Sequence, residues 1–292
     1  MEIETLFEGL DDKLRAAIQY FWDARIAQQN KQKDKGTQDK GTRSEVTGGG
    51  HMVALERLVS EILSSTGLPD LSITIGKAED VETKKSKRQL ELPGYYRPEK
   101  QWDMIVISRG QLVAAIEFKS HIGPSFGNNA NNRAEEAIGN AEDIWKAYRE
   151  ERFGKGPQPF LGYLLLLEDC DKVHTPGCPR EPFFPVDPIF KDGPIETGKG
   201  KRKKVKYDAM SYSRRYMILC RRLKLERFYT STCLLLATRG MDTRITEPTE
   251  DLSFRSFLAA LIGHAQTFIL SMPETKGTKY ETTNQTRIKI KG

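Results

Sequence analysis

At 292 residues the chain suffices for one large domain, or for a core with a smaller attachment, and it can bury a sizeable interior. Apolar residues make up 38% and charged residues 29%, which excludes wholesale disorder and a fibrous or collagen-like chain. Lys and Arg (46) outnumber Asp and Glu (40), for a net charge of +6 and a pI of about 9.0. The excess is concentrated: residues 199–206 hold six basic side chains in eight, and the pairs Arg214/Arg215 and Arg221/Arg222 follow one heptad apart. A polyanion is the expected partner, nucleic acid ahead of a membrane surface, because no lipid anchor or amphipathic Trp/Phe face accompanies the charge. Apolar runs such as Leu164 to Leu167 are far too short to cross a bilayer. Residues 1–14 carry five acidic side chains where a secretory signal needs basic and apolar ones. Four cysteines, at 170, 178, 220 and 233, are too sparse for a disulfide scaffold, so free thiols and a cytoplasmic location are expected.

In chain order, Leu10, Leu14, Ala17, Ile18, Phe21, Trp22 and Ile26 recur at helical spacing and predict an amphipathic helix over 10–29, read as a lid or dimerisation arm, with a cover for its own core as the alternative. Residues 30–50 lack an apolar anchor and end in three glycines, which predicts a mobile loop. A helix over 51–65, strands over 71–76, 102–108 and 111–119, a helix over 133–149 and a strand over 160–167 follow, bounded by Gly, Pro or polar clusters. This α-β-β-β-α-β order predicts an α/β fold with a central mixed sheet flanked by helices. Residues 171–206 are Pro-rich and then Gly/Lys-rich, a long excursion that can contact DNA. A helix over 211–227, a strand over 233–238 and a helix over 251–270 then pack back, and the tail from Ser271 is polar and loosely held. The expected organisation is therefore 1–50 as helix and loop, 51–170 as core, 171–210 as excursion, and 211–292 as a C-terminal part.

Chemistry concentrates in residues 101–120. Trp102-Asp103 opens one apolar strand and Glu117-Phe118-Lys119 closes the next, with thirteen residues between Asp103 and Glu117. Strand alternation puts Glu117 and Lys119 on one face and Ile116 and Phe118 in the core. Charges at the end of a buried strand are costly unless paired. A two-residue loop after Ser108 would set Asp103 against Ile116, whereas a three-residue loop of Arg109, Gly110 and Gln111 sets it against Glu117, and Gly110 can supply the left-handed residue such loops need. The two carboxylates then make a hard oxygen site suited to Mg²⁺, with the Phe118 carbonyl as third protein ligand. Lys119 is placed to hold a water for attack on phosphorus. A bare Glu-x-Lys on a strand is more often a surface ion pair; Asp103 in register and the order of elements argue for phosphodiester hydrolysis.

At these residues the chain resembles the PD-(D/E)xK nuclease superfamily, with Trp102-Asp103 in place of Pro-Asp. A longer string, Leu92-Pro-Gly-Tyr-Tyr-Arg-Pro98, Gln101-Trp-Asp, Ala114-Ala-Ile-Glu-Phe-Lys-Ser120, Gly123-Pro-Ser-Phe-Gly-Asn-Asn129, Asn131-Asn-Arg133 and Leu161-Gly-Tyr163, resembles the XhoI family of type II restriction endonucleases. The resemblance is dense over 88–170 and thinner toward both ends. It implies a restriction-endonuclease-like core and a homodimer that cuts double-stranded DNA at CTCGAG after the first C, with Mg²⁺. It also implies a companion DNA methyltransferase. Glu56 matches in position an auxiliary acid of many such nucleases; the alternative is a solvated helix glutamate.

The run after the catalytic strand is rich in Gly and Asn, so Ser120, Asn128, Asn129, Asn131, Asn132 and Arg133 are candidates for contact with phosphates and bases, or for an Asn-rich turn capping the next helix. Lys201, Arg202, Lys203 and Lys204 read as phosphate contacts or as a solvated loop. Cys170, His174 and Cys178 are too few, and too oddly spaced, for zinc. Two rivals remain at this level: a structure-specific repair or recombination nuclease of the same superfamily, and a non-catalytic basic DNA-binding protein.

Overall fold

The computed structural model describes residues 3–34, 51–76, 90–124, 126–177, 183–197, 204–240 and 242–271. Helix α1 (Leu10–Asp34) runs past the expected end at 29, into the segment read as a loop. Residues 35–50 of that expected loop, and the tail beyond Ser271, lie outside the described residues. The apolar stripe of α1 is spent within the chain. Leu10, Leu14, Ala17, Ile18, Phe21 and Trp22 are buried in one core together with Leu55, Leu58, Val59 and Ile62 of α2 (Val53–Ser64). That corrects the reading of this stripe as a lid or dimerisation arm: large side chains such as Phe21 and Trp22 each contribute about 1.5–3 kcal/mol by leaving water, and here they do so against their own fold.

The main sheet has six strands in the order β1 (Leu71–Ile75), β4 (Met104–Ser108), β5 (Gln111–His121), β6 (Phe160–Glu168), β9 (Ser231–Ala237) and β10 (Ile245–Thr246). The β5–β6 and β6–β9 pairs are parallel and the others antiparallel, so the sheet is mixed as expected. Between β5 and β6 lies α3 (Gly127–Arg149), and after β6 come a single turn, α4 (Asp171–His174), then α5 (Tyr212–Leu225) and finally α6 (Phe254–Ser271). Alternate residues of the central strands feed two cores. Ile116, Phe118, Leu164 and Leu235 pack toward α1, α2 and α6, whereas Ile105, Ala115, Leu165 and Leu234 pack toward α3 and α5. Both faces are thus covered, which is why β5, β6 and β9 read as almost unbroken apolar runs.

Two hairpins escaped the sequence reading. β2 (Glu91–Pro93) pairs with β3 (Glu99–Gln101) just ahead of β4, and β7 (Lys191–Thr197) pairs with β8 (Lys204–Ala209) inside the expected excursion. Helix α3 starts at Gly127, not 133, so the Asn-rich run is helical.

The β4–β5 turn is a further correction. Ser108 pairs with Gln111 across a two-residue loop, with Arg109 at φ 49° and Gly110 at φ 73°, the left-handed pair of a tight hairpin turn. By itself this would set Asp103 against Ile116. A bulge beside Val113 restores the register: Ile107 pairs with Leu112, but Val106 pairs with Ala114 and Met104 with Ile116. The strand pairing ends at Met104 and Ile116, and that register, continued one residue outward, sets Asp103 beside Glu117, the outcome expected of a longer loop but reached by a different device.

Candidate active site

Asp103 is pinned at the mouth of the β4–β5 pair, where the Phe118 backbone N–H donates to its Oδ2 at 2.8 Å. Lys119 Nζ lies 3.6 Å from Asp103 Oδ2 and 3.6 Å from Glu117 Oε1. Glu117 itself is fully buried on the α3 face of the sheet. Its Oε1 receives Lys100 Nζ at 2.5 Å and Asn140 Nδ2 at 2.8 Å. The Tyr229 hydroxyl is shared between Glu117 Oε2 and the Ala137 carbonyl, at 3.1 Å each. Burial would push the Glu117 carboxyl up, but Lys119, Lys100 and Asn140 outweigh it and bring its pKa down to about 2. Burial likewise opposes the Lys119 ammonium, yet Glu117 and Asp103 hold its pKa above the ordinary lysine value. For Lys100 burial prevails and its pKa is lowered, despite Glu117.

Glu56, in the first turn of α2, is also buried, and its Oε2 has no hydrogen-bond partner. A Cβ placed on Gly76 would lie 3.6 Å from that oxygen and 3.7 Å from the Asp103 carbonyl, so Glu56 reaches the same end of the sheet. Burial, reinforced by the Asp103 charge, raises its pKa to about 9.

A cleft of about 550 Å³ joins Asp103, Glu117, Phe118 and Lys119 to Ser120, Asn129 and Arg133. On α3 the cleft takes Asn129, Arg133, Glu136 and Asn140, a stripe at helical spacing. Ser120 Oγ is 3.2 Å from His51 Nε2, and Arg133 Nη2 donates to the Ser120 carbonyl at 3.4 Å. Asn131 is on another side of the helix, accepting from Arg215 Nη2 of α5 at 2.8 Å, and Asn132 is exposed. Lys201, Arg202 and Lys203 lie outside the described residues, as do the side chains of Asn128 and Lys204. Sequence reasoning missed Lys100, Asn140, Tyr229, Arg97 and Arg25 as neighbours of the cleft or of Glu117. A signal for Lys100 existed, since it sits three residues ahead of Asp103; for Asn140 it was the helical stripe, obscured by starting α3 too late.

The donor set fits a hard divalent cation. It offers two carboxylates, a backbone carbonyl on Phe118 and a buried Glu56 oxygen that lacks a partner. Among the described residues no three His, Cys, Asp or Glu side chains already converge on one point. Cys178 is outside the described residues, and His174 is engaged by Asp169 Oδ1 at 2.6 Å.

The model of the restriction endonuclease XhoI matches residues 31–246, most of the chain. The chain belongs to the XhoI restriction endonuclease family. It is 40% identical over 242 residues to the type II restriction enzyme BstVI of Geobacillus stearothermophilus, covering 80% of this chain and 96% of that relative. To the type II restriction enzyme XhoI of Xanthomonas vasicola it is 41% identical over 218 residues, 75% of this chain and 77% of the relative. The type II restriction enzyme AbrI of Azospirillum brasilense matches at 42% over 172 residues, 59% and 72% of the two chains. No solved structure matches. As a member of the XhoI family the protein is a type II site-specific endonuclease acting on double-stranded DNA, an activity that generally uses a divalent metal. This sets aside the non-catalytic rival. No helix among the described residues is long and apolar enough to cross a membrane.

Proposed function

We propose that this XhoI-family enzyme hydrolyses both strands of DNA at CTCGAG after the first C, leaving 5′-phosphates and four-base 5′ overhangs. In this reading Asp103, Glu117 and the Phe118 carbonyl hold Mg²⁺, Glu56 assists them, and Lys119 serves the attacking water. The observation that carries it is Lys119 Nζ lying 3.6 Å from both the Asp103 and the Glu117 carboxylates at one end of the β4–β5 pair. When bound, Mg²⁺ would supply Lewis-acid polarisation of the scissile phosphate and a lower pKa for the attacking water. Lys119, held cationic, orients that water and offsets charge growing on the phosphoryl oxygens. Water adds to phosphorus, the P–O3′ bond breaks, and the products are a 3′-hydroxyl and a 5′-phosphate. Asn129 and Arg133, on the cleft wall, and Ser120 at its floor are proposed to meet the DNA backbone and bases, with Asn128, Asn131, Asn132 and the basic run Lys201 to Lys204 contributing further contacts. One chain carries one such site. A double-strand cut at a palindrome calls for two, so the working unit is proposed to be a twofold homodimer. A cytoplasmic location and a methyltransferase of the same specificity complete the proposal.

Replacing Asp103 by Asn, Glu117 by Gln or Lys119 by Ala should each lower the cleavage rate at least about a hundredfold, the scale of one lost electrostatic catalyst, while specific DNA is still retarded in a gel. A Glu117→Gln enzyme that cuts at the normal rate would remove the assignment.

A further inference from the structure

The acidic pair has two ammonium groups, and only one of them belongs to the Glu-x-Lys motif. Lys100 comes from β3, in a hairpin outside the main sheet, yet its Nζ stands closer to Glu117 Oε1 (2.5 Å) than Lys119 does (3.6 Å). With Asn140 at 2.8 Å on the same oxygen, the accepting directions of Oε1 are filled. The hairpin is fastened in place. Asp143 of α3 accepts the Tyr95 and Tyr96 N–H groups at 2.8 and 2.7 Å and Arg97 Nε at 2.8 Å. Arg97 Nη2 donates to Asn140 Oδ1 at 2.6 Å, so the tip of the hairpin is linked through Asn140 to Glu117.

Charge balance gives this arrangement its meaning. Asp103 and Glu117 carry two negative charges, and Lys100 and Lys119 neutralise them without any metal. A divalent ion requires Glu117 oxygen at about 2.1 Å, which an ammonium 2.5 Å from Oε1 obstructs, and it would add two positive charges to a cleft that already sets Arg25, Arg97 and Arg133 against Glu136. Asn140 and Tyr229 are neutral donors and have no such conflict. Besides Glu117, Lys100 Nζ donates to the Gln101 carbonyl at 3.0 Å and lies 4.2 Å from the Trp102 ring centroid, partners that do not compete with a metal.

We propose that Lys100 is a resident counter-ion of Glu117, a positioning residue that keeps the carboxylate in place in the metal-free enzyme and that a divalent cation must displace in order to bind. This rests on the reading that Asp103 and Glu117 hold the metal. Calorimetric titration of the full-length, DNA-free protein with Mn²⁺ tests it, using wild type, Lys100→Met, Lys100→Gln and Glu117→Gln. Both Lys100 variants are expected to bind Mn²⁺ at least about tenfold more tightly than wild type, a gain of about 1.4 kcal/mol, whereas Glu117→Gln loses the site. Binding by the Lys100 variants that is unchanged or weaker, with Glu117→Gln still losing it, overturns the displacement and leaves the metal site standing. Wild-type affinity in Glu117→Gln overturns the metal site itself. Amine footprinting of the wild type needs no variant: Lys100 should be acylated slowly in the absence of cation and several-fold faster with saturating Mn²⁺, and an unchanged rate overturns the proposal even where a variant fails to fold.

Discussion

Two buried glutamates at the same end of the sheet are driven to opposite protonation states by their surroundings. Glu117 is encircled by donors and two ammonium groups and is held near pKa 2, whereas Glu56 has an oxygen without a partner, faces the Asp103 charge and is raised to about 9. The Glu56 shift links stability to pH. In the unfolded chain this carboxyl ionises near the ordinary glutamate value of about 4.3, while the folded protein keeps the proton until about 9. Its contribution is fully present below about pH 4 and is lost progressively as pH rises toward 9, because only the unfolded state is releasing the proton. Glu56→Gln removes that penalty, so in the metal-free protein its melting temperature relative to wild type should rise from pH 5 to pH 8 by at least about 2 °C, roughly 1 kcal/mol for a chain of this size. An offset that stays constant across that range would contradict the burial argument. At this scale Asp103, Glu117 and Lys119 were legible as a candidate group because Asp103 opens the apolar strand next to the one that Glu117 and Lys119 close, a combination that a bare Glu-x-Lys lacks. Lys100, Asn140 and Tyr229 were not, since their approach to Glu117 depends on a hairpin, a helix and a segment remote in sequence.

Among the elements, the β2–β3 hairpin and the bulge in β5 set the site's geometry. The hairpin closes over Asp143 only because residue 94 is glycine: a Cβ there would lie 2.5 Å from Asp143 Oδ2 and 2.7 Å from the Arg97 carbonyl. Gly94→Ala must push apart the carboxylate and the three donors it collects, at a cost of about 1–3 kcal/mol. Urea melts should show that loss, and limited proteolysis should cut first near Tyr95 to Arg97; a variant as stable and as resistant as wild type would show that the tip is not held through Asp143. Neither device was readable beforehand. Three-residue strands such as Glu-Lys-Gln carry no apolar alternation to detect, and a bulge leaves no mark in a run as uniformly apolar as Leu112 to Ile116. The start of α3 was missed because Gly and Asn disfavour helix interiors, yet tertiary bonds such as Arg215 to Asn131 and Arg133 to Ser120 tie that turn down.

On the scale of the whole molecule, one mixed sheet separates two apolar layers, and the cleft opens where β4 begins and β5 ends, with α3 as one wall. That architecture was visible in the sequence as the order of apolar segments. The use of the α1 stripe was not, since an amphipathic helix reads the same whether it covers its own core or a partner's. With that stripe buried internally, the proposed second copy has to be met elsewhere on the surface.

The central claim is that the Asp103–Glu117–Lys119 centre makes a palindrome-specific, Mg²⁺-dependent double-strand cut. Sequencing the ends produced when the enzyme and Mg²⁺ are incubated with a plasmid holding one CTCGAG tests it most directly. The account predicts a single linear product with four-base 5′ overhangs, 5′-phosphates and one cut after the first C of each strand, formed by wild type and not by Asp103→Asn. Blunt ends, cuts at other sequences or scattered nicks on one strand would contradict it.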